Sequence, residues 1–291
     1  MTSFTNVHNI DPIVAEALSK DTYVKVGDIS VTGLVAPVQA TFLIRDHQDE
    51  ITTDISERIR QWIGTIIHAE LAKVDLPPGG IKEQRFITEV EGWEVSGQID
   101  RWLPEGNTLT DYKATGVTQY NRALEGAKPE WEKQVNLYAA LMRRNGYTVD
   151  RCEVVAILID HTRGRVGQAG YPASGAPTVE LRCWPHEEAE AYLSERVRAY
   201  QAAAKDGYDP CTLEERWGKS DQWAVKKAGN KYAMKGGVFE DFEEATEFRK
   251  RAGVLTDLEY RPGASARCQV WCKAFPFCEQ AQREFGDGHQ E

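Results

Sequence analysis

Long hydrophobic runs are missing from this chain. None of its 291 residues falls in a run approaching the roughly 18 to 20 apolar residues of a membrane span. The opening MTSFTNVHNI contains no apolar stretch of the signal-peptide kind. The expectation is therefore no membrane and a cytoplasmic location, in a bacterial host or encoded by a phage. Positive charge is also short, with 35 Lys and Arg against 45 Asp and Glu, a net charge of −10. That excludes a protein that coats nucleic acid by bulk charge, but not one with a local basic groove. No Walker sequence of the form G-x-x-x-x-G-K-S/T occurs, which excludes a P-loop motor within this sequence. With 41% apolar and 27% charged residues, the chain is neither disordered nor fibrous. Its length allows one large domain or two modest ones.

The six cysteines are distributed unevenly. Cys268, Cys272 and Cys278 form a C-x3-C-x5-C run within ARCQVWCKAFPFC. In a large chain without an export signal, such a cluster points to metal ligation rather than disulfides. Cys211, in the loop-like GYDPCT, is the candidate fourth ligand. Cys152 and Cys183 lie in strand-like segments, where a cysteine usually serves as a small buried apolar residue.

The hydrophobic pattern predicts an α/β core. A short helix is expected at Pro12–Ser19, followed by strand-like runs at Tyr23–Gly33 and Val38–Ile44. Ile51, Ile55, Ile59, Trp62, Ile63, Ile66 and Ile67 recur at helical spacing, predicting a helix to about Val74. A strand meander from Gln84 to Lys113 turns at EGW and PEGN. Further elements are a helix at Pro129–Asn145, strands at Glu153–Asp160 and Thr178–Cys183, and a helix at His186–Lys205. The fold class expected is α/β with a mixed central sheet flanked by helices. The organisation expected is an N-terminal segment at 1–50 packing on the core, a core at 51–205 and a cysteine-bearing subdomain at 206–291. The last of these carries a helix near Phe242–Arg251, a strand near Val254–Arg261 and a tail from Gly286 expected to fray.

The meander carries the chemistry. In a strand, residues i and i+2 share a face, so Asp111 and Lys113 of TDYKAT project together. A hairpin through PEGN brings Asp100 of GQID alongside them. Two carboxylates this close repel unless a cation lies between them, and hard oxygen ligands suit Mg²⁺ or Mn²⁺. A neighbouring lysine can orient water or offset phosphoryl charge. Taken alone, D-x-K is more often an ordinary surface ion pair. The motifs around it, in their order, give the pattern its weight.

Those motifs resemble the PD-(D/E)XK nuclease superfamily, in its RecB-type branch. GTIIH supplies Gly64 and His68, GQID the first acidic motif, DYK the second, and QVNLY supplies Gln134 and Tyr138. The resemblance implies a restriction-endonuclease-like core in which His68, Asp100 and Asp111 hold metal, with the Tyr112 carbonyl a further ligand. It makes Lys113 the catalytic lysine and places Gln134 and Tyr138 at the site. Asp100 follows Ile99 rather than proline, which is common in this branch. Glu83 and Glu89 are further acidic candidates. EWEKQVNLYA, CTLEERW and the cysteine-rich end also resemble phage-type members of the superfamily.

Some relatives hold a 4Fe–4S cluster through one distant cysteine and a C-terminal trio. By that resemblance Cys211, Cys268, Cys272 and Cys278 are the ligands, with structural Zn²⁺ as the alternative. In those relatives the lone cysteine precedes the core, whereas Cys211 follows it. The implied activity is a metal-dependent deoxyribonuclease, an exonuclease or single-strand nuclease, in phage-type replication, recombination or repair. The alternative is a non-catalytic DNA-binding accessory on the same fold. The implied substrate is single-stranded DNA or duplex ends, with a helicase or recombinase partner and an oligomer both compatible. Lys226, Lys227 and Lys231, among Trp217, Trp223 and Tyr232, form either a nucleic-acid path or a solvated surface. Arg143, Arg144, Arg163 and Arg165 form a second basic candidate.

Overall fold

The computed structural model describes residues 3–20, 24–126 and 128–285. These fall into two compact units, residues 1–36 with 48–207 and residues 37–47 with 208–291. The segment 1–50, expected as one piece, is thus divided between the units.

The first unit is the α/β core. The strands of its two larger sheets are β1 (Ile29–Ser30), β2 (Ile81–Lys82), β3 (Arg85–Val90), β4 (Trp93–Gln98), β5 (Arg101–Leu103), β6 (Thr108–Thr115), β7 (Arg151–Leu158) and β8 (Thr178–Leu181). Its helices are α1 (Pro12–Ser19), α2 (Val31–Val35), α3 (Ile59–Leu71), α4 (Val117–Leu124), α5 (Pro129–Arg144) and α6 (His186–Asp206). A five-stranded mixed sheet has the order β8-β7-β6-β5-β2, with β6 and β7 parallel and the other pairs antiparallel. A three-stranded sheet has the order β1-β4-β3. Val135, Leu137, Leu141 and Met142 of α5 pack with Leu193 and Val197 of α6 in the buried core. On β7, Cys152, Val154, Ala156 and Leu158 alternate inward, as a strand between two neighbours requires.

Three local expectations are corrected. Tyr23 lies outside the described residues, and the rest of the run at 24–33 gives only the two residues of β1 before turning into α2. Ser30 caps that helix by accepting from Gly33 N–H at 3.1 Å. The run at Val38–Ile44 is a helix, Val38–Asp46. The alternation of Val38, Ala40 and Phe42 suggests a strand, yet Ala40 and Leu43 are buried one helical turn apart. The helix expected from Ile51 begins at Ile59. Before it, Thr52–Asp54 pairs with Ser3–Thr5, and Asp54 accepts from Ser56 N–H at 3.0 Å to start a short turn. No residue of α3 is fully buried, and Ile59, Trp62 and Ile66 are exposed.

The second unit contains a three-stranded antiparallel sheet of β9 (Gln222–Lys227), β10 (Ala233–Phe239) and β11 (Thr256–Arg261), with β9 in the centre. Helix α7 (Phe242–Arg251) packs on it, and Trp223 meets Phe242 and Tyr260 at ring distances of 4.7 and 4.9 Å. Ala274, Cys278 and Ala281, the last in α8 (Glu279–Phe285), form a small core with Leu43 of helix Val38–Asp46. The tail at 286–291 lies outside the described residues.

Candidate metal and active site

A kinked two-stranded ribbon builds the site. β3 and β4 join through Glu91 and Gly92, both at positive φ, the geometry that matches strand twist in a two-residue hairpin. The register runs outward without a slip, from Val90 opposite Trp93 to Arg85 opposite Gln98. It resumes with Lys82 opposite Arg101. Between these pairs, Ile99 N–H donates to Gln84 and Glu83 N–H donates to Asp100. At this step the ribbon leaves the three-stranded sheet and enters the five-stranded one. Glu83 has a φ of 50°, a conformation non-glycine residues seldom adopt and one that recurs at functional sites.

His68 reaches this kink from α3. Its Nδ1 lies 3.3 Å from Asp100 Oδ1 and 3.9 Å from Glu83 Oε1. One ligand atom from each of the three residues lies within 4.8 Å of the other two. The second oxygen of Asp100 accepts the Tyr112 N–H at 2.7 Å, which fixes the carboxylate. Gln98 Nε2 donates to the other oxygen of Glu83, Oε2, at 2.7 Å.

Asp111 is only 5% exposed. Its Oδ2 forms an ion pair with Lys113 Nζ at 2.9 Å and, among the described residues, meets no other donor. Lys113 Nζ instead donates to Gln134 Oε1 at 2.8 Å, and Gln134 Nε2 donates to Tyr138 Oη at 3.1 Å. Burial pushes the Asp111 carboxyl above its ordinary value, against the pull of Lys113. Burial pulls Lys113 down, but the Asp111 carboxylate beside it leaves the ammonium above its usual range. The hydrogen bond to Asp100 raises His68 more than burial lowers it. Tyr138 is raised by burial and then by Asp111, which keeps its hydroxyl neutral.

This donor set fits a hard divalent cation. It offers one imidazole nitrogen and several carboxylate oxygens, the mixture that suits Mg²⁺ or Mn²⁺. A buried carboxylate oxygen whose sole neighbour among the described residues is one ammonium has lone-pair capacity left for a cation. His68, Asp100, Asp111, Lys113, Gln134 and Tyr138 thus form one continuous neighbourhood. Glu83 joins it, whereas Glu89 stands opposite Glu94 farther along the ribbon. The hairpin itself holds the signal for Glu83, because counting eight residues outward on each side of Glu91–Gly92 pairs it with Asp100.

The two glycines of the motifs play different parts. A Cβ at Gly97 would lie 2.9 Å from two ring carbons of Tyr138 and from Val31. Around Gly64, one turn before His68, no described atom outside its own stretch of helix lies within 4 Å of a Cβ.

In the second unit, Cys211, Cys268, Cys272 and Cys278 line one small cavity with Gln39, Leu43 and Phe275. Cys211 is held from both sides of its peptide: its N–H donates to Gln39 Oε1 at 2.8 Å and its carbonyl accepts from Gln280 at 2.9 Å. Burial pushes the Cys211 thiol up to about 12 and the Cys268 thiol to about 11. Among the described residues, no three of these sulfurs come within 4.8 Å of one another.

Two expected basic patches are engaged in part. Lys226 pairs with Glu259, while Lys227 and Lys231 remain exposed. Arg143 donates to the Trp184 and Val149 carbonyls and to Cys183, and Arg144 is clamped by Glu190.

No protein-family model matches the sequence, and no curated protein does. Among solved structures, the protein SSO0001 is 15% identical over 64% of this chain and 84% of its own, with a TM-score of 0.43. A phage-related exonuclease from Haemophilus somnus 129PT is 14% identical over 65% of this chain and 76% of its own, with a TM-score of 0.31. Among the described residues, no helix is long and apolar enough to cross a membrane.

Proposed function

We propose that this chain is a metal-dependent nuclease that hydrolyses phosphodiester bonds in DNA. The convergence of His68, Glu83 and Asp100 within 4.8 Å carries the reading. Asp111 and Lys113 stand beside them, with a network of hydrogen bonds behind. His68, Glu83, Asp100 and Asp111 would hold Mg²⁺ or Mn²⁺, which supplies Lewis acidity and a water made acidic enough to attack. Lys113, kept protonated by Asp111, orients the attacking water and offsets charge developing on the phosphoryl oxygens. Gln134 fixes the ammonium, and Tyr138 fixes Gln134. The Tyr112 N–H holds one oxygen of Asp100 and leaves the other facing His68.

The cysteine site is read as holding a 4Fe–4S cluster, with structural zinc as the alternative. Cys211, Cys268, Cys272 and Cys278 share the lining of one cavity, as ligands to a single group would, and both groups accept four thiolates.

The test is cleavage of linear and circular, single- and double-stranded DNA by protein purified without oxygen. It is run with Mg²⁺, Mn²⁺ and EDTA, beside Lys113→Ala. Metal-dependent cutting that the variant abolishes is expected. DNA binding without cutting under either metal would leave a binding accessory instead. Iron, zinc and acid-labile sulfide measured on the same protein decide the cysteine site, with iron and sulfide in equal amounts expected.

A further inference from the structure

A cavity of about 630 Å³ in the first unit has a lining at odds with the acidity of the chain. Lys20, Arg58 and Arg85 line it, and among the described residues no carboxylate does, although the chain carries a net charge of −10. Val24, Val26 and the indole of Trp62, which is 37% exposed, give it an apolar wall beside the polar Gln61, Thr65 and Gln98. Lys20 also pairs with Glu16 at 3.4 Å, so the anion-binding capacity rests mainly on the two arginines. The guanidinium of Arg58 lies over the Phe4 ring at 5.2 Å.

The cavity is tied to the metal-ligand triad through two elements. Gln98 lines it and donates to Glu83 Oε2 at 2.7 Å, while accepting from Arg85 at 2.9 Å. On α3, Gln61 and Thr65 line it, and His68 follows on the same helical face. Gly64 lies within that stretch with nothing crowding its Cβ position. A glycine inside a helix costs about 1 kcal/mol relative to alanine. Here it keeps the surface beside His68 open.

We infer that this cavity seats a short single-stranded segment of nucleic acid, with phosphate on Arg58 and Arg85 and a base against Trp62. A wall of cations opposite an apolar, aromatic wall matches the two faces of a nucleotide. The volume falls in the range of small-ligand pockets, roughly 300–1,000 Å³, which suits one or two nucleotides and not a duplex. The segment's position next to the scissile bond rests on the nuclease reading. Its binding does not.

The experiment is equilibrium binding by the full chain in EDTA. Fluorescein-labelled oligo(dT), oligo(U) and a blunt hairpin duplex are titrated across a salt series, with anisotropy as the readout. The variants are Arg58→Ala, Arg85→Ala and Trp62→Ala, each checked by circular dichroism, with Mn²⁺ affinity measured in parallel. Arg58→Glu is included because it lies outside the Gln98–Glu83 network. Tighter binding of single strands than of the duplex is expected. Trp62→Ala weakens binding about 5-fold or more. Each arginine removed lowers the salt slope by about 0.7. Mn²⁺ affinity stays unchanged in Arg58→Ala and Trp62→Ala. The dT and U arms decide between DNA and RNA as the source of the strand. Wild-type affinity and salt slope in Arg58→Glu and Trp62→Ala would overturn the assignment, as would tighter binding of the duplex. If the variants lose strand binding but wild type cuts nothing with metal, the cavity stands and the nuclease reading falls.

Discussion

Tyr138 lies against Gly97 so closely that no side chain fits between its ring and the strand. The glycine of GQID therefore belongs to the same device as the tyrosine of QVNLY. One vacates the space that the other fills, and Tyr138 then reaches Gln134 and, through it, Lys113.

Gly97→Ala is expected to push the ring away at a cost of about 1–3 kcal/mol, the usual penalty for overpacking a core. Urea unfolding measures that cost. Turnover should fall further than stability alone explains, because Lys113 loses its support. Adding Tyr138→Leu should recover stability and leave turnover low.

Gly64→Ala should act in the opposite sense. Nothing crowds its Cβ, so stability rises by up to about 1 kcal/mol, the helix-propensity difference. If substrate approaches there, KM rises while Tm rises. A Tm gain with unchanged KM would show that this surface is not used.

Glu83→Gln should weaken Mn²⁺ binding by at least the roughly 10- to 100-fold seen when groups supporting a metal are lost. Titration calorimetry measures it. Glu89→Gln, opposite Glu94 on the ribbon, should bind as wild type.

Asn136 lies between the two site-facing residues of QVNLY and points elsewhere. It is fully buried, accepts from Trp184 N–H at 2.7 Å and donates to the Arg182 carbonyl at 2.8 Å. Asn136→Ala should lower stability by about 1–3 kcal/mol through the unsatisfied groups it leaves. Thermal unfolding reads this loss, with Mn²⁺ affinity unchanged.

The hydrogen bond from the Cys152 thiol and the Arg143 guanidinium 3.3 Å away hold the Cys183 thiol at about 6, below the ordinary thiol range. A depressed folded-state value stabilises the fold above the unfolded pKa of about 8.5, and that contribution is lost as pH falls through 6. Alkylation of Cys183 by iodoacetamide, followed by mass spectrometry from pH 5 to 9, should show a midpoint near 6. Cys152→Ala should move the midpoint upward. An ordinary midpoint in the wild type would refute the thiolate.

Much of the core was legible because its signals are local. The i, i+2 rule set Asp111 beside Lys113, the PEGN turn returned Asp100 to them, and heptad-like spacing marked Pro129–Arg144. Glu83 was underweighted because its importance depends on the register of a hairpin read as a whole. The sequence of the Val38–Asp46 helix also fits a strand, because Val38, Ala40 and Phe42 alternate. Nine residues allow both periods, and packing chose between them. On α3 the isoleucine stripe locates the helix without fixing its burial, since periodicity reports an apolar face and not what covers it. Lys226 looked free in sequence because its partner, Glu259, lies on another strand.

The assignment of Val38–Asp46 to the second unit has a consequence for synthesis on the ribosome. The chain enters that unit at Pro37, leaves it at His47 and does not return until Tyr208. At about 5–20 residues per second, roughly 10 to 30 s pass between these points. Throughout that interval Leu43 waits without Ala274, Cys278 and Ala281, which complete its core. The first unit can close around its own sheets in this time. The cysteine cavity cannot be assembled until Cys278 and Ala281 have emerged, so any cofactor it takes is loaded only after the whole first unit has been made.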